Sequence, residues 1–331
     1  MLTGNLRLSL AIGEYDHVRD LLDGTVAIGG VDLTVLRLPI EEIFYRSTFH
    51  HEFDVSEMSF AKIVALASQD DPSFVPLPVF PSRVFRHSSI YVRSDSGLTD
   101  PRQLAGMRVG VPEWAQTAAV YSRGLLAHDY GVDLASIHWH QAGVNQPGRR
   151  EKVKLKLPPG LKLTVVSDRS LSQMLVDGAL DAVLSARPPA PLLAGDARIR
   201  RLFDDPRSVE EAYFRDTGIF PIMHVVAMRR TLYERHPWLA MNLYKAFEEA
   251  KRRSVERASD ITASFYPLPW TGDLVRSAQS LFGADIWPYG IDANRVTLDA
   301  FLRYAFEQGV CHRRLTPEEL FPPEVASRYK V

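Results

Sequence analysis

Cysteine is nearly missing from this chain: Cys311 is the one thiol in 331 residues. That excludes an internal disulfide and any zinc or iron–sulfur cluster built on several cysteines. Long apolar runs are lacking as well, since no segment approaches the ~18 uninterrupted apolar residues of a membrane span. The opening MLTGNLRLSLAIGEYD holds one basic residue and a short apolar stretch, Leu8 to Ile12, before Glu14 and Asp16. A secretory signal needs an apolar core of ~7–15 residues, so a cytoplasmic location is expected. Charge of one sign is not in excess either: 39 basic and 40 acidic side chains leave a net charge of −1. Nothing draws the whole molecule toward nucleic acid or an anionic membrane, and neither is expected as a partner. Internal repeats, low-complexity tracts, a helix-turn-helix, a GxGxxG fingerprint and a G-x-S-x-G elbow are all absent. Gly29-Gly30 reads as a turn without phosphate-loop context.

What is present is an ordinary globular composition, 46% hydrophobic, which rules out disorder, collagen and coiled coil. The length exceeds what one core usually covers, so two are expected. Short β-type runs alternate with helical patterns, which favours a parallel or mixed α/β sheet. Leu6 to Ile12, Val31 to Leu38 and Phe53 to Ser56 read as strands, separated and followed by helices at Tyr15 to Leu22, Glu41 to Phe49 and Phe60 to Ser68. Ser88 to Arg93 reads as a strand leaving this unit. A fresh start follows, with strands at Met107 to Val111 and Ile137 to His140 around a helix at Gln116 to His128, then a β-α-β from Leu163 to Leu184. Ile222 to Met228 is a late strand and His236 to Arg257 a long helix whose apolar residues recur at helical spacing. Residues 145 to 160, NQPGRREKVKLKLPPG, read as a basic, proline-bounded loop in solvent.

LAGMRVGVPE, LVDGALDAVLSAR and MRRTLYERHPWLAMNLYKAFEEA together resemble the type II periplasmic-binding-protein fold. The resemblance implies an α/β protein of two lobes with a ligand cleft between them: residues 1–92 and 224–331 in lobe one, 93–223 in lobe two. Over nearly its whole length the chain is similar to the 4,5-dihydroxyphthalate decarboxylase family. The strings that carry this are LSLAIGEYDHVRDLLDG, FDVSEMSF, FPSRVFRHSSIYVRSDSG, GMRVGVPEW, TGIFPIMHVV and IWPYGIDANRVTLDAFLRYAFEQG. The resemblance implies non-oxidative loss of one carboxylate from a dihydroxylated phthalate, giving protocatechuate. A solute-binding protein that captures an aromatic acid without chemistry shares the superfamily and is the alternative.

In open α/β sheets ligands bind beyond the carboxyl ends of the strands. Those ends carry Tyr15 and His17 after the first strand, Ser56, Glu57 and Ser59 at the third, and Ser82, Arg83, Arg86 and His87 before the crossing. In lobe two they carry Glu113, Gln116, Thr117 and Arg187, and His224 stands where the chain returns. Arginine offers a planar pair of donors that matches a carboxylate, so Arg83, Arg86 and Arg187 are the expected anchors for an aromatic diacid. Arg83 and Arg86 share a face if their segment is a helical turn and diverge if it is extended; the turn is the expectation. Each also has the plainer reading of a surface ion pair.

His87 and His224 are the expected acid–base pair, because imidazole titrates near neutral pH. Glu57 and Glu113 are candidate carboxylates that orient a histidine or hydroxyl. Tyr15, Ser56, Ser82, Thr117 and Phe220 complete the expected binding residues, with Phe85, Trp114 and Phe220 as an apolar wall beside the departing carboxylate. His138 and His140 form H-x-H on one strand face, but two ligands are not a metal site, a third would have to come from elsewhere, and any half-buried strand gives the same spacing. No metal residue is assigned, although a divalent ion is left open. Pyridoxal, thiamine and flavin motifs are missing, and the hydroxylated ring can itself act as electron sink. Whether the chain forms a homo-oligomer is left open.

Overall fold

The computed structural model describes residues 4–69, 73–263 and 265–325. Among the described residues, twelve strands form two six-stranded sheets. The first five are β1 (Leu6–Ile12), β2 (Val31–Arg37), β3 (Val55–Ser59), β4 (Phe74–Pro76) and β5 (Ser82–Arg83). Next come β6 (Ile90–Arg93), β7 (Arg108–Val111), β8 (His138–Gln141), β9 (Lys162–Val165), β10 (Ala182–Leu184) and β11 (Ile199–Arg201), before β12 (Ile222–Arg229). The first sheet runs β2-β1-β3-β12-β4, with β5 also on β12; the second runs β11-β6-β10-β7-β8-β9. This mixed α/β architecture in two lobes is the one the sequence resemblance implied.

β6 lies wholly in the second sheet and β12 wholly in the first. The boundaries expected at 92/93 and 223/224 therefore cut through strands, and the chain crosses earlier, after β5 and again before Ile222. The early strands and helices follow their sequence patterns to within a few residues. β4, β5 and β11 are too short to show a period, and the helices Pro206–Thr217 and Thr271–Phe282 were not anticipated. The H-x-H pair sits on β8, where His140 Nδ1 meets the carbonyl of His138 at 3.0 Å. Among the described residues no group of three His, Cys, Asp or Glu side chains is arranged to hold a metal. No helix of the described residues is long and apolar enough to cross a membrane.

β3 explains where chemistry sits. It is central, with β1 parallel on one side and β12 antiparallel on the other, and all five of its residues, Val-Ser-Glu-Met-Ser, are buried. Polar groups held there need partners or a purpose. The β3–β12 register sets His224 opposite Ser59 and Val226 opposite Glu57. His224 and Glu57 are thus diagonal neighbours on one face, within reach of each other.

The helix Phe60–Ala67 leaves β3 directly and is buried almost all round, as expected for the apolar string FAKIVALA. It packs against Thr117–His128 and Arg295–Glu307, with Phe60 stacked on Phe301 at 4.6 Å. Gly124 permits the closest part of this packing: a Cβ there would lie 2.2 Å from the Tyr304 ring. A helix of the second lobe is thereby pressed onto helices of the first, and the amino-terminal ends of Phe60–Ala67 and Thr117–His128 border the cavity.

Candidate active site

The cavity has a volume of about 320 Å³ and takes its walls from both lobes. Its floor is a hydrogen-bonded set on β3 and β12. Glu57 is wholly buried, and its Oε1 meets His224 Nδ1 at 2.6 Å and accepts from the Tyr15 hydroxyl at 2.6 Å. Oε2 accepts from the backbone N–H of Gly13 at 2.9 Å. Glycine suits that place, since a Cβ would lie 2.8 Å from Ile40 Cδ1 and 3.0 Å from the Tyr15 ring. With Glu57 on Nδ1, the second ring nitrogen of His224 is free to face the cavity, which His224 lines. Phe44 packs edge-on against the imidazole, centroids 5.0 Å apart, and holds its plane. Burial, then the Glu57 charge, raises the Tyr15 phenol well above its usual range, so Tyr15 serves as a donor.

Arg86 lies beside this set, 7% exposed. Its Nε, at 3.2 Å, and one terminal nitrogen donate to the sulfur of Met223, and the other terminal nitrogen donates to Ser89 Oγ at 3.4 Å, all weak partners. No carboxylate forms an ion pair with it among the described residues. Burial pulls its pKa down to about 10, so it stays charged at neutral pH. A buried cation is expensive unless paired. Ser185 Oγ and Gln116 Oε1 also line the cavity, buried and without a hydrogen-bond partner. These are the marks of a site that waits for an anionic, hydrogen-bonding ligand.

The opposite wall is an ion cluster. Glu113, 1% exposed, bonds Lys62 Nζ at 3.0 Å and Arg149 Nε at 2.7 Å, with Lys152 Nζ at 3.5 Å. Burial pushes Glu113 up, but Lys62, Arg149 and Lys152 outweigh it and hold the carboxyl below its usual range. At the mouth Glu41 faces Arg149 and Arg187, each at 3.4 Å. Thr117 joins the lobes, its Oγ1 meeting Ser59 Oγ at 3.0 Å and accepting from the N–H of Ala61 at 3.0 Å. The cavity is lined by Lys62, Arg86, Arg149, Lys152 and Arg187 against Glu41 and Glu113, a surplus of positive charge suited to a dianion. Ile40, Phe44, Val84, Val144 and Met223 supply its apolar parts. A larger groove of about 710 Å³ runs along Trp238–Ser259, but its buried Lys251 is already paired with Glu248 and Asp285.

Glu113→Ala is expected to cost about 3–5 kcal/mol of stability, because it leaves Lys62 buried and unpaired; the shift in denaturant midpoint measures it. The sign with pH follows from the lowered carboxyl. Its contribution is complete above about 4.5, the ordinary glutamate value, and is lost as pH falls through the folded value.

Glu57, Glu113, Ser82, Arg86, Thr117, Arg187 and His224 of the expected residues thus gather in or directly behind the cavity, with Tyr15 behind Glu57. Others are elsewhere. Arg83 turns away: no helical turn joins Arg83, at the end of β5, to Arg86, so the two diverge, and the Arg83 guanidinium donates to the carbonyls of Phe220 and Pro288 and to Asn294. It is a structural cross-link, not an anchor. His87 is closed in by Phe203 and Tyr213, at 5.6 and 5.0 Å, and desolvation lowers its pKa to about 4. It lines no part of the cavity. His17 is wedged between Tyr15 and Trp287 and likewise lowered by burial to about 4.

Ser56 points to the other face of β3 from Glu57, and its hydroxyl has no partner there. Phe85 and Phe220 stack on each other at 5.0 Å and on Phe282 outside the cavity. Trp114 is fully buried, its indole N–H donating to the carbonyl of Gln308. None of these three is the apolar wall.

The loop read as solvated supplies Arg149 and Lys152 to the cavity. Its stem is fixed where Lys156 N–H donates to the carbonyl of Gly309 at 2.8 Å, and a Cβ on Gly309 would lie 2.0 Å from the Lys156 carbonyl oxygen. Lys62 was also overlooked. Its signal was available, since one lysine in an otherwise apolar helix must be paired or used.

The chain matches no family model. It is 40% identical to a 4,5-dihydroxyphthalate decarboxylase of Comamonas testosteroni over 327 residues, 98% of this chain and 99% of that protein. The chain belongs to the 4,5-dihydroxyphthalate decarboxylase family. A second member, from Pseudomonas putida, is 37% identical over 216 residues, 65% of this chain and 84% of its own. The fold is shared more widely. The periplasmic sulfonate-binding protein SsuA of Methylobacillus flagellatus superposes with a TM-score of 0.54 at 11% identity, over 98% of this chain and 93% of that one. The aliphatic sulphonate-binding SsuA of Escherichia coli gives 0.53 at 12% identity, over 97% and 99%. These two likenesses bear on fold alone.

Proposed function

We propose that this family member is a carboxy-lyase that removes one carboxylate of 4,5-dihydroxyphthalate, giving protocatechuate and carbon dioxide without oxidation. One observation carries the reading: a histidine held by a buried glutamate opens into the same cavity as a buried guanidinium that lacks a carboxylate partner. Pure capture of a diacid requires the guanidinium but not the oriented imidazole.

The chemistry follows from the ring. A bond to carboxylate breaks slowly because its electrons need a destination. Each carboxylate of this substrate has a hydroxyl para to it. His224, steadied by Glu57, takes the proton from that hydroxyl, and the ring becomes electron-rich at the carbon bearing the departing group. Protonation of that carbon removes aromaticity. Carbon dioxide then leaves as aromaticity returns. Arg86 holds the retained carboxylate, with Ser185 and Gln116 as further partners. Holding the departing one equally well would stabilise ground and transition states alike and leave kcat unchanged. That group belongs against Phe44, Val84 and Val144, where loss of charge is favoured. Acid–base steps give about 10²–10⁴-fold each, and orientation with preorganised charge supplies the remainder.

The decisive measurement is carbon dioxide release from 4,5-dihydroxyphthalate by the purified protein. Stoichiometric release with protocatechuate is the expected result. Calorimetric binding of the diacid with no product would replace this reading with that of a receptor.

A further inference from the structure

Decarboxylation through a protonated ring needs two groups, a base at the hydroxyl and an acid at the ring carbon. His224 meets the first need. The second was expected of His87, which is sealed away from the cavity. The acid must therefore come from another group on the cavity wall. Arg86, Arg149 and Arg187 hold their protons too tightly to donate. Glu113 is kept ionised by the cations around it. Ser59, Ser82, Thr117 and Ser185 carry only neutral hydroxyls. Lys62 and Lys152 remain.

Lys152 is a quarter exposed, on the loop at the edge of the cavity. Lys62 is 4% exposed and fixed in the first turn of a buried helix. It stands one turn beyond Ser59, the residue that the β3–β12 register sets opposite His224. Both side chains line the cavity, His224 in its floor and Lys62 in the ion cluster of the facing wall. The Lys62 ammonium has three N–H donors, and its one hydrogen bond among the described residues runs to Glu113 Oε2 at 3.0 Å. Two donors are left for the cavity that it lines.

We propose that Lys62 is the general acid, and that its ammonium delivers the proton to the ring carbon bearing the departing carboxylate. This rests on the decarboxylase reading. The steps balance. His224 takes the hydroxyl proton; Lys62 forms the new C–H bond and becomes a neutral amine; the bond from ring to carboxylate breaks and its electrons flow back to the ring oxygen. Protonated His224 returns its proton to that oxygen, and Lys62 takes one proton from water. One proton is consumed for each carbon dioxide released, and no oxidant or reductant enters. Burial, partly opposed by Glu113, brings the Lys62 pKa down to about 8, which suits a group that must hold a proton at neutral pH and yield it to carbon. The charged groups facing it are Glu113, Glu151 and Lys152, with Arg149 on the far side of Glu113.

The test uses the whole protein and 4,5-dihydroxyphthalate. Lys62→Met should lower kcat by about 10²-fold or more while KM moves by less than about ten-fold. Lys62→Met/Glu113→Gln, which removes both buried charges, should fold as judged by circular dichroism and show the same loss. Methylammonium added to Lys62→Ala should restore turnover, and with a series of amines the alkaline limb should move from about 8 to follow each amine's own pKa. A structural lysine would give neither the rescue nor the moving limb. Wild-type turnover with Lys62→Met within about ten-fold of it in kcat, or no rescue by any amine, overturns the assignment. If wild-type protein itself releases no carbon dioxide, it is the decarboxylase reading that fails.

Discussion

His224→Ala is expected to lower kcat by about 10²–10⁴-fold, with the diacid still bound in calorimetry. The size follows from the position of the ring. Glu57 fixes Nδ1 and Phe44 fixes the plane, while the carboxylates on the cavity wall, Glu41 and Glu113, are engaged by Arg149, Arg187, Lys62 and Lys152. Glu57→Gln should act in the same direction through the histidine. An amide nitrogen placed at Nδ1 favours the tautomer with its proton on the cavity side, which is the wrong form for a base. The pattern to look for is therefore loss in kcat for both variants with KM little changed. Wild-type turnover in His224→Ala would end the assignment.

Arg86→Met should weaken binding of the diacid and leave the unliganded protein no less stable. Charge-assisted hydrogen bonds contribute about 1.5–3 kcal/mol, so KM should rise roughly 10–100-fold. The unliganded protein, relieved of a buried cation without a carboxylate, should melt no lower than wild type and is expected to melt higher. Thermal unfolding with and without the diacid separates the two effects, because at a given ligand concentration the wild-type protein should gain more than the variant. An unchanged KM would show that the retained carboxylate is held elsewhere.

Much of the site was legible because the fold constrains where strand ends point. Glu57, Glu113, Thr117 and Arg187 follow short apolar runs, and the rule that ligands sit beyond the carboxyl ends of strands gathers them without any structure; His224 joins them because the amino end of antiparallel β12 lies against the carboxyl end of β3. The errors have separate physical causes. Arg83 and Arg86 were paired by a spacing that holds on a helix, whereas the chain leaves β5 without a helical turn, one guanidinium reaching Asn294 and the other the cavity. His87 occupies a site that looks functional in sequence, but two aromatic rings from later in the chain enclose it. Nothing local announces those rings. Arg149 and Lys152 sit in a string whose composition is that of a solvated loop. Their burial depends on Glu113, a partner 36 residues away in the case of Arg149. Lys62 lies in a helix that is otherwise apolar, and helical periodicity alone does not single out its one charge.

The bond from Lys156 to Gly309 gives the cavity an adjustment point outside its own walls. Two of its positive charges ride on a segment whose footing is a tight turn after the last long helix, where φ is +71° and any side chain would displace the loop. Selection can therefore retune which acids are accepted by altering that distant footing, leaving the histidine, the lysine and the buried guanidinium untouched. A comparison of wall residues alone would miss such a change.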